Sequence, residues 1–140
     1  MEKWILYAAI SMVFAGFTSV IAKLGLAGIS SEAGLAVRTC FVFLFVLVFA
    51  ALVVPRQELG ALTQSNIGWL ALSGVTTAAS WIFYYKALKQ GDVATVALID
   101  KGSFIVAVLL AWLILKEQMT LRIVIGSALI LAGLVVVARK

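Results

Sequence analysis

Apolar residues fill this chain in five long blocks, divided by short stretches where glycine, serine, proline or charge gathers. The blocks run over about residues 4–26, 33–54, 67–88, 93–115 and 121–138. Each is close to the ~20 helical residues that cross a hydrocarbon core. A membrane strand needs only about 9–11 residues with alternating polarity, so the pattern predicts transmembrane helices and an all-α integral membrane protein. Gly25, Gly28 and Ser30-Ser31 break the first helix, and a serine N-cap with Glu32 in the first turn opens the second. Pro55 ends the second span, and the polar residues 56–66 form the longest loop. Gly91-Asp92 makes a turn in which Asp92 can cap the fourth span, and residues 116–120 turn tightly into the fifth. The first block is too long for a signal-peptide core and is expected to stay, giving one transmembrane domain over residues 3–138.

Composition sharpens this picture by exclusion. Hydrophobic residues make up 64% of the 140 and charged residues 12%, with a mean hydropathy of +1.17. A globular domain has about 45–50% and about 25%, so there are too few charges to cover a soluble surface. The lone Cys40 cannot close an internal disulfide, and the lack of histidine removes Ser-His, Cys-His and His-ligated metal chemistry. No base and nucleophile arrangement is recognisable, so no enzyme activity, metal or cofactor is expected. The net charge of +5 comes from basic residues scattered singly among apolar spans, a distribution that does not suit nucleic acid.

Those charges speak to topology instead. With five spans, Lys3, Arg56, Lys116 and Arg122 fall on the N-terminal side, and Lys23, Lys86, Lys89, Arg139 and Lys140 on the other. The positive-inside rule acts through an excess of Lys and Arg on one side. Four against five gives almost no bias, so either both orientations insert or a subtler signal selects one. Arg139 and Lys140 are expected to anchor the last span to headgroups.

Three ionisable residues lie inside apolar spans: Arg38 in the second, Asp100 and Lys101 in the fourth. At about 1.5 Å per residue they sit ~8 Å and ~10–12 Å from the same membrane face. Each costs about 2.5–3.5 kcal/mol at a span centre, which makes a functional or pairing role the default. Asp100 shares a helical face with the small residues Ala97, Ser103, Ala107 and Ala111, so it is expected to point inward and to pair with the Arg38 fork. Lys23 and Lys86 lie near the same face, either snorkelling to headgroups or lining a hydrated, cationic vestibule. In the third span Ser73, Thr77, Ser80 and Tyr84 form a row, with Thr76 and Trp81 beside it. The row lines a polar substrate path, or its hydroxyls bond back to their own helix. Gly126, Ile130 and Gly133 share one face of the fifth span and suit close helix approach, within the protomer or at a dimer interface.

Taken in order, Lys23-Leu24-Gly25, Ala36-Val37-Arg38-Thr39, Tyr84-Tyr85-Lys86-Ala87-Leu88 running to Gly91-Asp92, Ile99-Asp100-Lys101 with Ser103, and Leu115-Lys116-Glu117 followed by Gly126 and Gly133 resemble the EamA domain of the drug/metabolite transporter superfamily. The chain looks like a member of its five-span bacterial and archaeal transporter group, with one EamA repeat where typical members carry two inverted ones. The resemblance implies that two chains associate antiparallel into a ten-helix bundle, as homodimer or as heterodimer with a related EamA protein, which an even charge balance allows. The glycine spacing in the fifth span is also similar to the dimerisation motif of small multidrug resistance proteins. Relatives often carry proline where Leu98 stands and glycine where Lys116 stands. The span-1 carboxylate that small multidrug resistance proteins use for proton exchange has no counterpart here, which leaves Asp100 as the deep carboxylate.

The expected function is therefore secondary transport, as an exporter of small metabolites working by alternating access in the plasma membrane. Arg38, Asp100, Lys101, Ser73, Thr77, Ser80, Tyr84 and Trp81 are the candidate substrate contacts, Lys23 and Lys86 the candidate vestibule residues. The cationic lining favours an anionic or zwitterionic solute over a lipophilic cation. Two other readings stay open: a non-transporting scaffold or modulator subunit, and a flippase component for a lipid-linked anionic head group.

Overall fold

The computed structural model describes residues 2–138, so Arg139 and Lys140, expected to anchor the C-terminus, lie outside the described residues. Seven helices follow one another, and no strand occurs among the described residues: α1 (Lys3–Gly25), α2 (Ser31–Val53), α3 (Arg56–Gly60), α4 (Gln64–Gln90), α5 (Val93–Lys101), α6 (Ser103–Leu113) and α7 (Leu121–Ala138). Among the described residues, five stretches are long and apolar enough to cross a membrane: α1, α2, α4, the residues Val93–Leu113 that α5 and α6 share, and α7.

Helix ends form where the side chains satisfy them. Ser30 caps α2, its hydroxyl accepting from the Ala33 N–H at 3.2 Å. Thr63 accepts from the Asn66 N–H at 3.2 Å and starts α4 three residues before its apolar block begins. Asp92 holds the extended backbone of an N-cap but makes no side-chain capping bond. The 56–66 loop is partly ordered as α3, which begins directly after Pro55, as a proline before the first turn favours.

The fourth span is not one helix. The backbone tightens at Gly102, whose N–H donates to Ile99 O at 2.9 Å, and α6 restarts at Ser103. A Cβ at position 102 would stand 2.9 Å from Ile99 O and 3.4 Å from the Leu134 side chain, so the turn and its approach to α7 both favour glycine. No proline is needed for this interruption, and the span ends at Leu113, two residues before its predicted end.

The chain forms two compact units that divide inside α1. One runs from Ala22 to Gln90, with α2 packed on α4; the other joins the residues up to Ile21 with those from Gly91 on, with α5 packed on α7. Among the described hydrophobic residues only Leu26, Tyr85 and Leu88 are buried, all in the first unit. Large apolar side chains lie exposed on every long helix. That inverts the soluble arrangement and fits helices whose backbone bonds are satisfied internally while their side chains face lipid.

Candidate functional site

The unit from Ala22 to Gln90 is fastened at one end by lysines. Lys23 Nζ donates to Leu88 O at 2.6 Å and reaches Lys89 O at 3.5 Å; Lys89 Nζ donates to Leu26 O at 2.9 Å. Each ammonium thus caps carbonyls at the C-terminal end of the other's helix, where the helix dipole favours a cation. Beneath this exchange lie Leu26 and Leu88, and a Cβ at Gly34 would overlap the Leu26 side chain, which explains the glycine early in α2. Lys23, a candidate vestibule residue, is therefore engaged in a helix-end bond. Lys86, the other, lies 3.6 Å from Glu32 across α2 and α4, both side chains at least half exposed. Ser31 also donates to Glu32, at 2.8 Å.

One to two turns deeper, Arg38 enters between aromatic rings. Its guanidinium carbon lies 4.1 Å from the centroid of Trp81 and 5.8 Å from that of Tyr85, within cation–π range of both. Ring faces attract the charge but leave the in-plane N–H groups without acceptors. Arg38 Nη1 is buried and has no hydrogen-bond partner among the described residues. Glu32, the acidic residue of α2, is already held by Lys86 and Ser31.

A groove of about 570 Å³ opens between α2 and α4 beside this cluster. Leu35 and Thr39 line it from α2; Leu70, Ser73, Gly74, Thr77, Ala78, Trp81 and Ile82 line it from α4. The α4 positions form a continuous stripe at helical spacing. Leu35 and Ile82 also border a smaller hollow that reaches Glu32 and Lys86. The hydroxyls are unequal. Thr77 donates to Ser73 O and Thr39 to Leu35 O, both at 2.8 Å, whereas Ser73 has no hydroxyl bond among the described residues. Thr76 also bonds back to its own helix, at Ser73 O and Leu72 O. Of the expected polar row, then, Ser73 and Thr77 face the groove with Trp81. Ser80, turned about 100° from the centre of the stripe, does not line it, and neither does Tyr84. Tyr84 stacks edge-on against Tyr85, ring centroids 6.3 Å apart.

The other unit holds Asp100 and Lys101 in the last turn of α5, directly before the Gly102 interruption. Asp100 is half-buried and Lys101 exposed. The small-residue face counted through Asp100 is divided between α5 and α6 by that break. On α7, nothing lies within 4 Å of a Cβ built at Gly126 or Gly133, and Ile130 between them is exposed. That face is open to a lipid or a second chain.

The EamA-like transporter family matches residues 2–139. The chain belongs to this family. It is also 35% identical over 137 residues to the "Uncharacterized transporter in cobO 3'region" of Sinorhizobium sp, an alignment that covers 98% of this chain and 97% of that one. No solved structure matches it. Membership of the EamA-like family and five membrane-length helices make the protein a multi-pass membrane protein in contact with lipid, and point to a transporter rather than an enzyme.

Within this EamA-like chain the structure adds site residues that sequence reasoning passed over. Tyr85 completes the aromatic bracket around Arg38, and its signal was the four-residue step from Trp81 along one face of α4. Leu35, Leu70, Gly74, Ala78 and Ile82 give the groove its apolar walls; their spacing was visible, but apolar positions on a membrane helix look alike until a partner helix is placed. The sequence marks Lys89 only as a cation near a loop and Glu32 only as a charge in the first turn of a span.

Proposed function

We propose that this EamA-like protein is a secondary transporter that exports small metabolites across the plasma membrane by alternating access, with two copies completing one ten-helix unit. The observation that carries this reading is Arg38: a cation inside an apolar span, held over Trp81 and Tyr85, with a buried Nη1 that has no acceptor among the described residues and a groove beside the Trp81 ring. Ionisable groups at such depth are expensive, and they mark solute or ion paths when they face a bundle interior. The break at Gly102 beside Asp100 and Lys101 supports the same reading, because discontinuous spans build the binding sites of many secondary transporters. Asp100 and Lys101 join Arg38 as substrate contacts or as its charge partners, with Ser73, Thr77, Trp81, Ser80 and Tyr84 contributing along the path and Lys23 and Lys86 at its mouth. An antiparallel pairing is supported by the even charge balance and by the open Gly126, Ile130 and Gly133 face.

The test is counterflow in proteoliposomes across a panel of anionic, zwitterionic and cationic metabolites. Flux of at least one solute that falls about tenfold or more in Arg38→Gln, as loss of a charged hydrogen bond predicts, supports transport. A panel with no protein-dependent flux overturns it, as does flux indifferent to Arg38, Asp100 and Lys101 in a protein damaged only on the Gly126 and Gly133 face, which marks an assembly subunit. Reporters of cytoplasmic and external location, fused after Lys140, test the pairing: activity from both supports an antiparallel homodimer, and activity from one requires an oppositely inserted partner.

A further inference from the structure

Trp81 takes part both in the groove between α2 and α4 and in the Arg38 cluster. Among the described residues that line the groove it is the single aromatic one, and the Arg38 guanidinium carbon lies 4.1 Å from its ring centroid. Arg38 itself does not line the groove, and its buried Nη1 makes no hydrogen bond among the described residues. From α4 it is met by ring faces, Trp81 and, one turn on, Tyr85. The residues before Trp81 are small: Thr77 and Ala78 stand four and three positions earlier, Ser73 and Gly74 two turns earlier, and all four line the groove. A Cβ at Gly74 would meet nothing within 4 Å, so this stretch is open and not packed. Long side chains on a helix lean back over the residues three and four positions earlier. An indole that did so freely would lie across Thr77 and Ala78 and fill the groove. With the ring on Arg38, the groove stays open at about 570 Å³.

We propose that Arg38 is a positioning residue: it holds the Trp81 ring as a wall of the groove, and a Trp81 released from it closes the groove over Thr77 and Ala78. The inference rests on the transport reading, to which it adds what keeps the solute path open. A stacked charge opposes closure because the ring, on leaving, forfeits a desolvated cation–π contact. Tyr85, its centroid 5.8 Å from the same guanidinium carbon, gives the cation a second ring to rest on. The Trp81 ring can then move without stranding the charge, which is what a movable wall requires.

The test reads the groove directly. In the full chain with Cys40→Ala, which removes the native thiol, Gly74→Cys places a thiol in the groove, and its alkylation by N-ethylmaleimide is timed in nanodiscs. Arg38→Met, which keeps a long side chain and removes the charge, is expected to slow alkylation about tenfold or more, the bias that a desolvated cation–π contact supplies. Adding Trp81→Leu to it is expected to restore the parental rate, because the shorter side chain cannot cover the groove. A role for Arg38 in stability alone would give no such rescue. Arg38→Lys keeps a cation but not the flat stacking face and is expected to slow alkylation about threefold. It carries the test, again with Trp81→Leu as the rescue, if Arg38→Met fails to fold. Alkylation that neither Arg38 variant slows overturns the proposal, and so does slowing that Trp81→Leu leaves in place. Solute flux in the same variants separates the inference from the transport reading. Access that follows Arg38 and Trp81 in a protein without flux keeps the movable wall and removes transport; flux that falls in Arg38→Met while access is unchanged keeps transport and removes the positioning role.

Discussion

The two units of this protein handle polar groups in opposite ways. From Ala22 to Gln90, polar side chains are spent on joining helices: Lys23 and Lys89 exchange carbonyls, Glu32 meets Lys86, and Arg38 lies on Trp81 and Tyr85. In the other unit the charges of α5 stand beside a helix break, and the glycines of α7 face open space. A region that must hold a shape invests its polar groups in bonds. A region that moves or meets a partner leaves them uncommitted and interrupts its backbone. Under the proposed transport cycle, the contrast predicts that α2 and α4 act as a rigid wall and that the interruption between α5 and α6 acts as a hinge, and each expectation has a substitution that tests it.

The largest effect is expected at Trp81. Replacing it by leucine removes the ring face that stabilises the Arg38 charge, up to about 2 kcal/mol when desolvated, and leaves part of the ring volume empty, so a total of about 2–3 kcal/mol is expected. Thermal unfolding in nanodiscs reads this as a clear drop in melting temperature, and Trp81→Phe, which keeps a ring, is expected to recover most of it. A Trp81→Leu protein as stable as the parent would show that the stacking holds nothing. Next comes the lysine exchange: Lys23→Met or Lys89→Met removes a charge-assisted bond to a helix end, worth about 1.5–2 kcal/mol each, with the lower figure for the more exposed Lys89.

How much of this was legible in the sequence follows the same divide. Spans, stops and the deep ions could be read directly, because length, hydropathy and local capping act within one helix. Ser73, Thr77 and Trp81 were named from the chain and line one groove, and Arg38, also named, stacks on the Trp81 ring without lining it. The partner expected for Arg38 was Asp100, whereas within its own unit Arg38 meets aromatic rings; an arginine offers both a fork for carboxylates and a flat face for rings, and spacing along one helix cannot choose between them. The lysine exchange was illegible for a related reason. Lys23 and Lys89 are 66 residues apart in sequence, and their acceptors are backbone carbonyls, which every residue carries.

The expected hinge is tested at Gly102. An alanine there would place its Cβ 2.9 Å from Ile99 O, and the turn relieves that contact by relaxing towards a continuous α-helix, which alanine favours. Flux of a transported solute is expected to fall about tenfold, equivalent to about 1.4 kcal/mol of barrier, with thermal stability unchanged or raised. Loss of stability together with flux would instead mean that Gly102 matters only for packing against Leu134.

The smallest effect compares one turn in each unit. Two described residues hold a left-handed backbone: Gly28, with φ of 75°, between α1 and α2, and Lys116, with φ of 54°, between α6 and α7. Glycine adopts this region freely, whereas a residue with a Cβ meets the following carbonyl oxygen and loses roughly 1–2 kcal/mol. The fastened unit thus has an unstrained turn and the other a strained one, closed by the Glu117 N–H donating back to Ala111 O at 3.2 Å. Lys116→Gly is expected to stabilise the protein by about 0.5–1 kcal/mol, part of the relief being offset by the greater freedom of an unfolded glycine. Gly28→Ala is expected to destabilise it by a similar amount. A raised melting temperature in Lys116→Gly with a lowered one in Gly28→Ala would establish that left-handed strain outweighs chain entropy at both turns; the reversed pair of signs would place the difference in the unfolded chain, and the left-handed lysine would then carry no strain worth removing.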